Sequence, residues 1–72
     1  MSSVIDTVTV DTVEDRDTIQ YVTPKGQTFT LDVKGDPVDT GSKIHVHGYS
    51  HEFGENITVK FSPSQRVDIL GS

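Results

Sequence analysis

Seventy-two residues with no cysteine and a formal net charge of −5 suit a single small domain spanning residues 1–72. They exclude a disulfide-built scaffold, a cysteine-ligated zinc site and a doubly wound dinucleotide fold. The negative balance opposes general polyanion binding, although screening over about 8–10 Å lets a local basic patch act separately. Ten Val, five Ile and nine Thr stand against two Leu and no Ala, and β-branched side chains lose rotamer freedom in a helix but pack well on a pleated sheet. Strands are therefore expected throughout. Met1-Ser2-Ser3 has neither the charged start nor the apolar run of a signal peptide, and no segment approaches the ~20 apolar residues of a membrane helix. A cytoplasmic protein with no membrane partner is expected.

The first extended segment, Val4 to Val13, sets Val4, Val8 and Val10 on one face and Ile5 and Val13 on the other. Its parity changes near Asp11, which implies a bulge, a bend or a strand end at Val10. Glu14-Asp15-Arg16-Asp17 reads as a charged turn whose carboxylates accept hydrogen bonds from nearby backbone. Thr18 to Thr23 and Gln27 to Lys34 form a hairpin in which Ile19 and Tyr21 face Phe29, Leu31 and Val33. Pro24 presets the turn, and Gly26 takes the left-handed position that ends a type I turn with a bulge.

Gly35 to Ser42 is dense in breakers and reads as a loop with Val38 tucked beneath it. In the strand that follows, Ile44 and Val46 point to the core while Lys43, His45, His47 and Tyr49 point the other way. Ser50 to Asn56 returns the chain, with Phe53 either a plug under the loop or an exposed contact residue. Asn56 to Phe61 then places Ile57, Val59 and Phe61 inward and Thr58 and Lys60 outward. Ser62 to Gln65 is a turn or a single helical turn, and Arg66 to Leu70 is the last strand, with Val67 and Ile69 on one face.

Five or six short strands at roughly ten-residue intervals imply an all-β fold, a small antiparallel barrel of SH3-like or OB-like type. Curling the sheet buries one stripe from every strand, about fifteen apolar side chains at ~1.5–3 kcal/mol each. The lack of a helical segment between the central strands tilts the expectation toward the SH3-like form.

All three histidines lie in or just after one strand. His45 and His47 leave the same face about 7 Å apart, and His51 or Glu52 from the following turn would complete a three-ligand metal site with an open position. The plainer alternative is two histidines on a solvated sheet face with His51 in a loop. The same face reads as a single-stranded nucleic-acid surface, with Lys43, His45, His47 and Lys60 for phosphates and Tyr49 and Phe53 as base platforms. Only six Lys and Arg in the whole chain weigh against it. Ser50-His51-Glu52 holds the residue types of a hydrolase triad, but consecutive residues diverge and cannot align. Asp15 with Asp17, or Asp36 with Asp39, are turn carboxylates rather than an acid and base flanking a cleft. Asn56-Ile57-Thr58 matches a glycosylation sequon, which means little without a signal peptide.

No nucleophile, phosphate loop or cofactor fingerprint appears. The expectation is a non-catalytic module without a cofactor that works through a protein partner or by self-association. Its contact face is expected on Lys43, His45, His47, Tyr49, Phe53 and Lys60. Nucleic-acid binding is the second possibility, and metal binding through His45, His47 and His51 the third.

Overall fold

The computed structural model describes residues 3–71. Met1 and Ser2, where the start of a signal peptide was sought, lie outside them, as does Ser72. The strands are β1 (Ser3–Thr9), β2 (Thr18–Val22), β3 (Thr28–Val33), β4 (Val38–Asp39), β5 (Ile44–Ser50), β6 (Glu55–Phe61) and β7 (Arg66–Gly71), with a 3-10 turn at Val10–Thr12 and no α-helix among the described residues. All pairings are antiparallel and form one sheet in the order β1-β7-β2-β3-β5. β3 and the two-residue β4 share one side of β5, and β6 runs along the whole of its other side. The sheet curls into a half-barrel, an all-β fold of six full strands and one short one. β1, β6 and the two-residue β4 end the sheet, and β1 and β6 do not pair with each other.

The concave side holds the core. Val10, Val13, Ile19, Tyr21, Leu31, Val33, Ile44, Val46, Phe61 and Val67 are buried there, with Val8, Phe29, Ile57, Val59 and Ile69 packed against them. These are the inward stripes expected from alternation in β2, β3, β5, β6 and β7. Gly48 continues the inward stripe of β5, and its lack of a side chain sets the curl. A Cβ there would lie 2.3 Å from the Asp32 carbonyl oxygen and 2.9 Å from Leu31 Cγ, so β3 approaches β5 more closely than any other residue type permits.

The β2–β3 hairpin has the expected connection. Thr23 N–H donates to the Gln27 carbonyl and Gly26 N–H to the Thr23 carbonyl, each at 2.8 Å, with Gly26 at φ 84°. The charged turn after the 3-10 segment is structural as well. Glu14 N–H donates to Asp17 Oδ2 (2.9 Å), and Gly35 N–H donates to Asp15 Oδ1 (2.7 Å), which fastens the turn to the end of β3.

Two expectations are corrected. Val13 does not face away from Val10: of the three readings of the parity change near Asp11 the strand end holds, since β1 stops at Thr9 and the chain enters the 3-10 turn, which brings Val10 and Val13 to the same core although they are three apart. The bulge lies earlier, where the register slips between Val4 and Asp6 and leaves Ile5 unpaired and exposed. Val38 is half exposed rather than tucked away, because β4 takes it into a ladder opposite His45 on the rim of the sheet. Ser62 to Gln65 closes as a simple turn, with Gln65 N–H on the Ser62 carbonyl at 2.9 Å.

Candidate functional site

The convex face of β5 carries the side chains picked out from the sequence. His45 lies opposite Lys60 on β6 and Val38 on β4, His47 opposite Thr58, and Tyr49 between Asn56 on β6 and Asp32 on β3. Four of the six expected contact residues, His45, His47, Tyr49 and Lys60, therefore share one surface. Lys43 precedes the strand and lines a shallow concavity of about 260 Å³ with Tyr21, Val22, Pro24 and Phe61. Phe53 is elsewhere: its ring stacks on Phe29 at 5.5 Å, on the side of the core, while remaining 60% exposed.

The three imidazoles do not converge. His47 Nδ1 lies 2.6 Å from Thr58 Oγ, toward β6, whereas His51 Nε2 lies 2.9 Å from Asp32 Oδ2, toward β3. His51 is drawn that way by its backbone, whose N–H donates to the Thr30 carbonyl. Among the described residues no group of three or more His, Asp or Glu side chains is placed to hold a metal ion. Glu52 has a structural task too, since its Oε1 accepts the Thr30 N–H at 2.8 Å where β3 runs past the end of β5. The two platforms imagined for nucleic-acid bases, Tyr49 and Phe53, lie on different sides of the sheet, and the carboxylate of Asp32 stands beside Tyr49.

A second surface follows from hydrogen-bond parity. His47 C=O and His51 N–H bond to β3 and its extension, and Lys43 C=O bonds toward β4, so the odd-numbered residues of β5 direct their backbone groups to that side. Ile44, Val46, Gly48 and Ser50 must then bond to β6, and their register partners are Phe61, Val59, Ile57 and Glu55. The backbone N–H and C=O groups of Asn56, Thr58 and Lys60 point away from the sheet. Among the described residues they take no further backbone partner, and all three residues are exposed.

The free edge of β6 borders the only aromatic row among the described residues. Phe53 stacks on Phe29, Phe29 lies 5.8 Å from Tyr21, and Tyr21 meets Phe61 edge-on at 5.1 Å. The row links the turn before β6 to its last residue, and Ile57 and Val59 between them are only half buried. Burial, followed by the charge of Glu52, raises the Tyr21 hydroxyl above the ordinary tyrosine value, so this phenol stays neutral and apolar in character.

No protein-family model, curated protein or solved structure matches this chain. Function therefore rests on the arrangement itself. The inward positions of Tyr21, Phe29 and Phe61 are readable from alternation, but the open edge beside them depends on which strands become neighbours.

Proposed function

We propose that the protein is a non-catalytic binding and assembly module that takes an extended protein segment along β6. The observation that carries this reading is the coincidence of three residues whose backbone groups have no further strand partner among the described residues, Asn56, Thr58 and Lys60, with partly buried Ile57, Val59 and Phe29 and exposed Phe53 on the adjoining inner side. Strand addition draws affinity from such an edge and selectivity from the alternate side chains. The curled sheet, with no α-helix among the described residues, supports the SH3-like form over the OB-like one. Thr18 Oγ1 and His51 Nε2 both meet the Asp32 carboxylate, each at 2.9 Å. The hydroxyl donates to the carboxylate and not to the imidazole, an arrangement that ties strands together without activating a nucleophile and supports a role without catalysis. The described residues include no helix long and apolar enough to cross a membrane, and a cytoplasmic setting belongs to this proposal. A nucleic-acid role has less behind it, given Asp32 beside Tyr49.

Random peptides displayed on phage test the reading, with the protein immobilised sparsely enough to remain monomeric. Peptides of alternating apolar pattern should enrich on the wild type and fail to enrich on Thr58→Pro. Proline is the informative change because the Thr58 N–H faces away from β5, so the intrachain ladder survives while the open edge loses a donor. Equal enrichment on both proteins, or none on the wild type, contradicts the proposal.

A further inference from the structure

We infer that the segment taken along β6 is β6 of a second copy, paired antiparallel about a two-fold axis at Thr58. This rests on the reading of β6 as a strand-accepting edge and names its occupant.

The edge is self-complementary in one register. In an antiparallel ladder, residues whose backbone groups face the partner bond in pairs with residues that do the same, and on β6 these are Asn56, Thr58 and Lys60. An axis through Thr58 sets Thr58 against Thr58 of the partner subunit, and Asn56 against Lys60 of the partner subunit in both directions. All three residues of each copy are then used, for six backbone hydrogen bonds. Moving the axis to Ile57 or Val59 leaves one of the three without its counterpart, and moving it to Lys60 sets two ammonium groups against each other.

Side chains agree with that register on both faces. Inside, Ile57 comes beside Val59 of the partner subunit, which covers the two partly buried apolar residues of the strand and continues the apolar surface begun by Phe53 and Phe29. Outside, a threonine pair sits on the axis, flanked by an amide and an ammonium rather than by like charges. Threonine pairs of this kind are favourable cross-strand neighbours.

The opposite end of the sheet is closed to the same chemistry. By the parity that sends the Val10 N–H to the Gln65 carbonyl, Thr7 and Thr9 face outward from β1. The Thr7 N–H is already taken by Asp6 Oδ1 at 2.8 Å, and the bulge at Ile5 breaks the edge just before it. Carboxylates and bulges are the devices by which edge strands avoid pairing. With β1 blunted, β4 only two residues long and β6 open, association is isologous and stops at two copies instead of running into a fibre.

Sedimentation equilibrium on the whole chain, from about 10 µM to about 1 mM as befits a small interface, is the test. The mass should rise with concentration from 7.9 kDa toward twice that value. Thr58→Pro removes two of the six bonds and should raise the dissociation constant at least about tenfold. The register is tested separately at an exposed position that leaves the fold alone. Asn56→Asp, opposite a lysine, should tighten the dimer about threefold to tenfold, and Asn56→Lys should weaken it by a similar factor.

A chain that stays at 7.9 kDa at the highest concentration overturns the inference, as does a dimer indifferent to Asn56 and Thr58. If that monomer still enriches alternating peptides in the phage selection, the edge binds foreign strands and only the second copy is wrong. If it enriches none, the strand-accepting edge falls with it.

Discussion

Tyr21 shows how one residue can serve the core and border a contact surface. Its ring is 8% exposed and touches both Phe29 and Phe61, and burial holds its hydroxyl above the ordinary value of 10.0, with Glu52 adding to the shift. The folded state thus binds this proton more tightly than the unfolded chain does. Its contribution is fully present below pH 10.0 and is lost as pH rises through the higher folded value, because ionisation then favours unfolding. Urea unfolding of wild type and Tyr21→Phe from about pH 8 to about pH 11 checks the sign. The wild type should lose stability faster above pH 10 than the variant, which has nothing to ionise there. Curves that stay parallel contradict it. The histidines make the converse point. His45, His47 and His51 looked like one ligand set, but His47 and His51 are held by different strands, through Thr58 and through Asp32.

At the scale of elements, the β2–β3 hairpin and the polarity of β5 and β6 were legible because both depend on local rules. Alternation decides which side chains point inward, and Pro24 with Gly26 decides the turn. The first segment was legible in part: a strand end at Val10 was among the readings of its parity change and β1 stops at Thr9, but alternation does not betray the bulge at Ile5 or the 3-10 turn that returns Val13 to the core. Val38 was misplaced because an apolar residue in a breaker-rich loop gives no sign that two residues will pair with β5. Gly48 was passed over for the same kind of reason. In the sequence it is one more glycine in a strand, and only the close pairing of β3 with β5 shows that a Cβ would meet backbone oxygen at 2.3 Å. Gly48→Ala must push the two strands apart and should cost about 1–3 kcal/mol or more in chemical denaturation, as over-filled cores do. A loss below about 0.5 kcal/mol, the size of an ordinary surface change, would show that the approach is looser than described.

The whole molecule is a sheet that curls without closing. The half-barrel agrees with the small antiparallel barrel expected from the sequence, whose curling removes most edges, but the sequence reports the facing of each strand and not which strands end the sheet. The consequences differ at the two ends. β1 spends a bulge and the Asp6 carboxylate on blunting its edge, whereas β6 offers seven regular residues, Glu55–Phe61, beside exposed aromatic surface. The candidate site was therefore half legible: Lys60 and Phe53 were singled out from their residue types, but the backbone of Asn56, Thr58 and Lys60 carries no signature in composition. Amide hydrogen exchange along β6 tests this account most directly, because neighbouring residues of one strand act as their own controls. In dilute protein the amides of Ile57, Val59 and Phe61 should be protected and those of Asn56, Thr58 and Lys60 should exchange quickly, with the second set becoming protected as concentration rises. Protection of all six at every concentration, or of the second set at none, would contradict it.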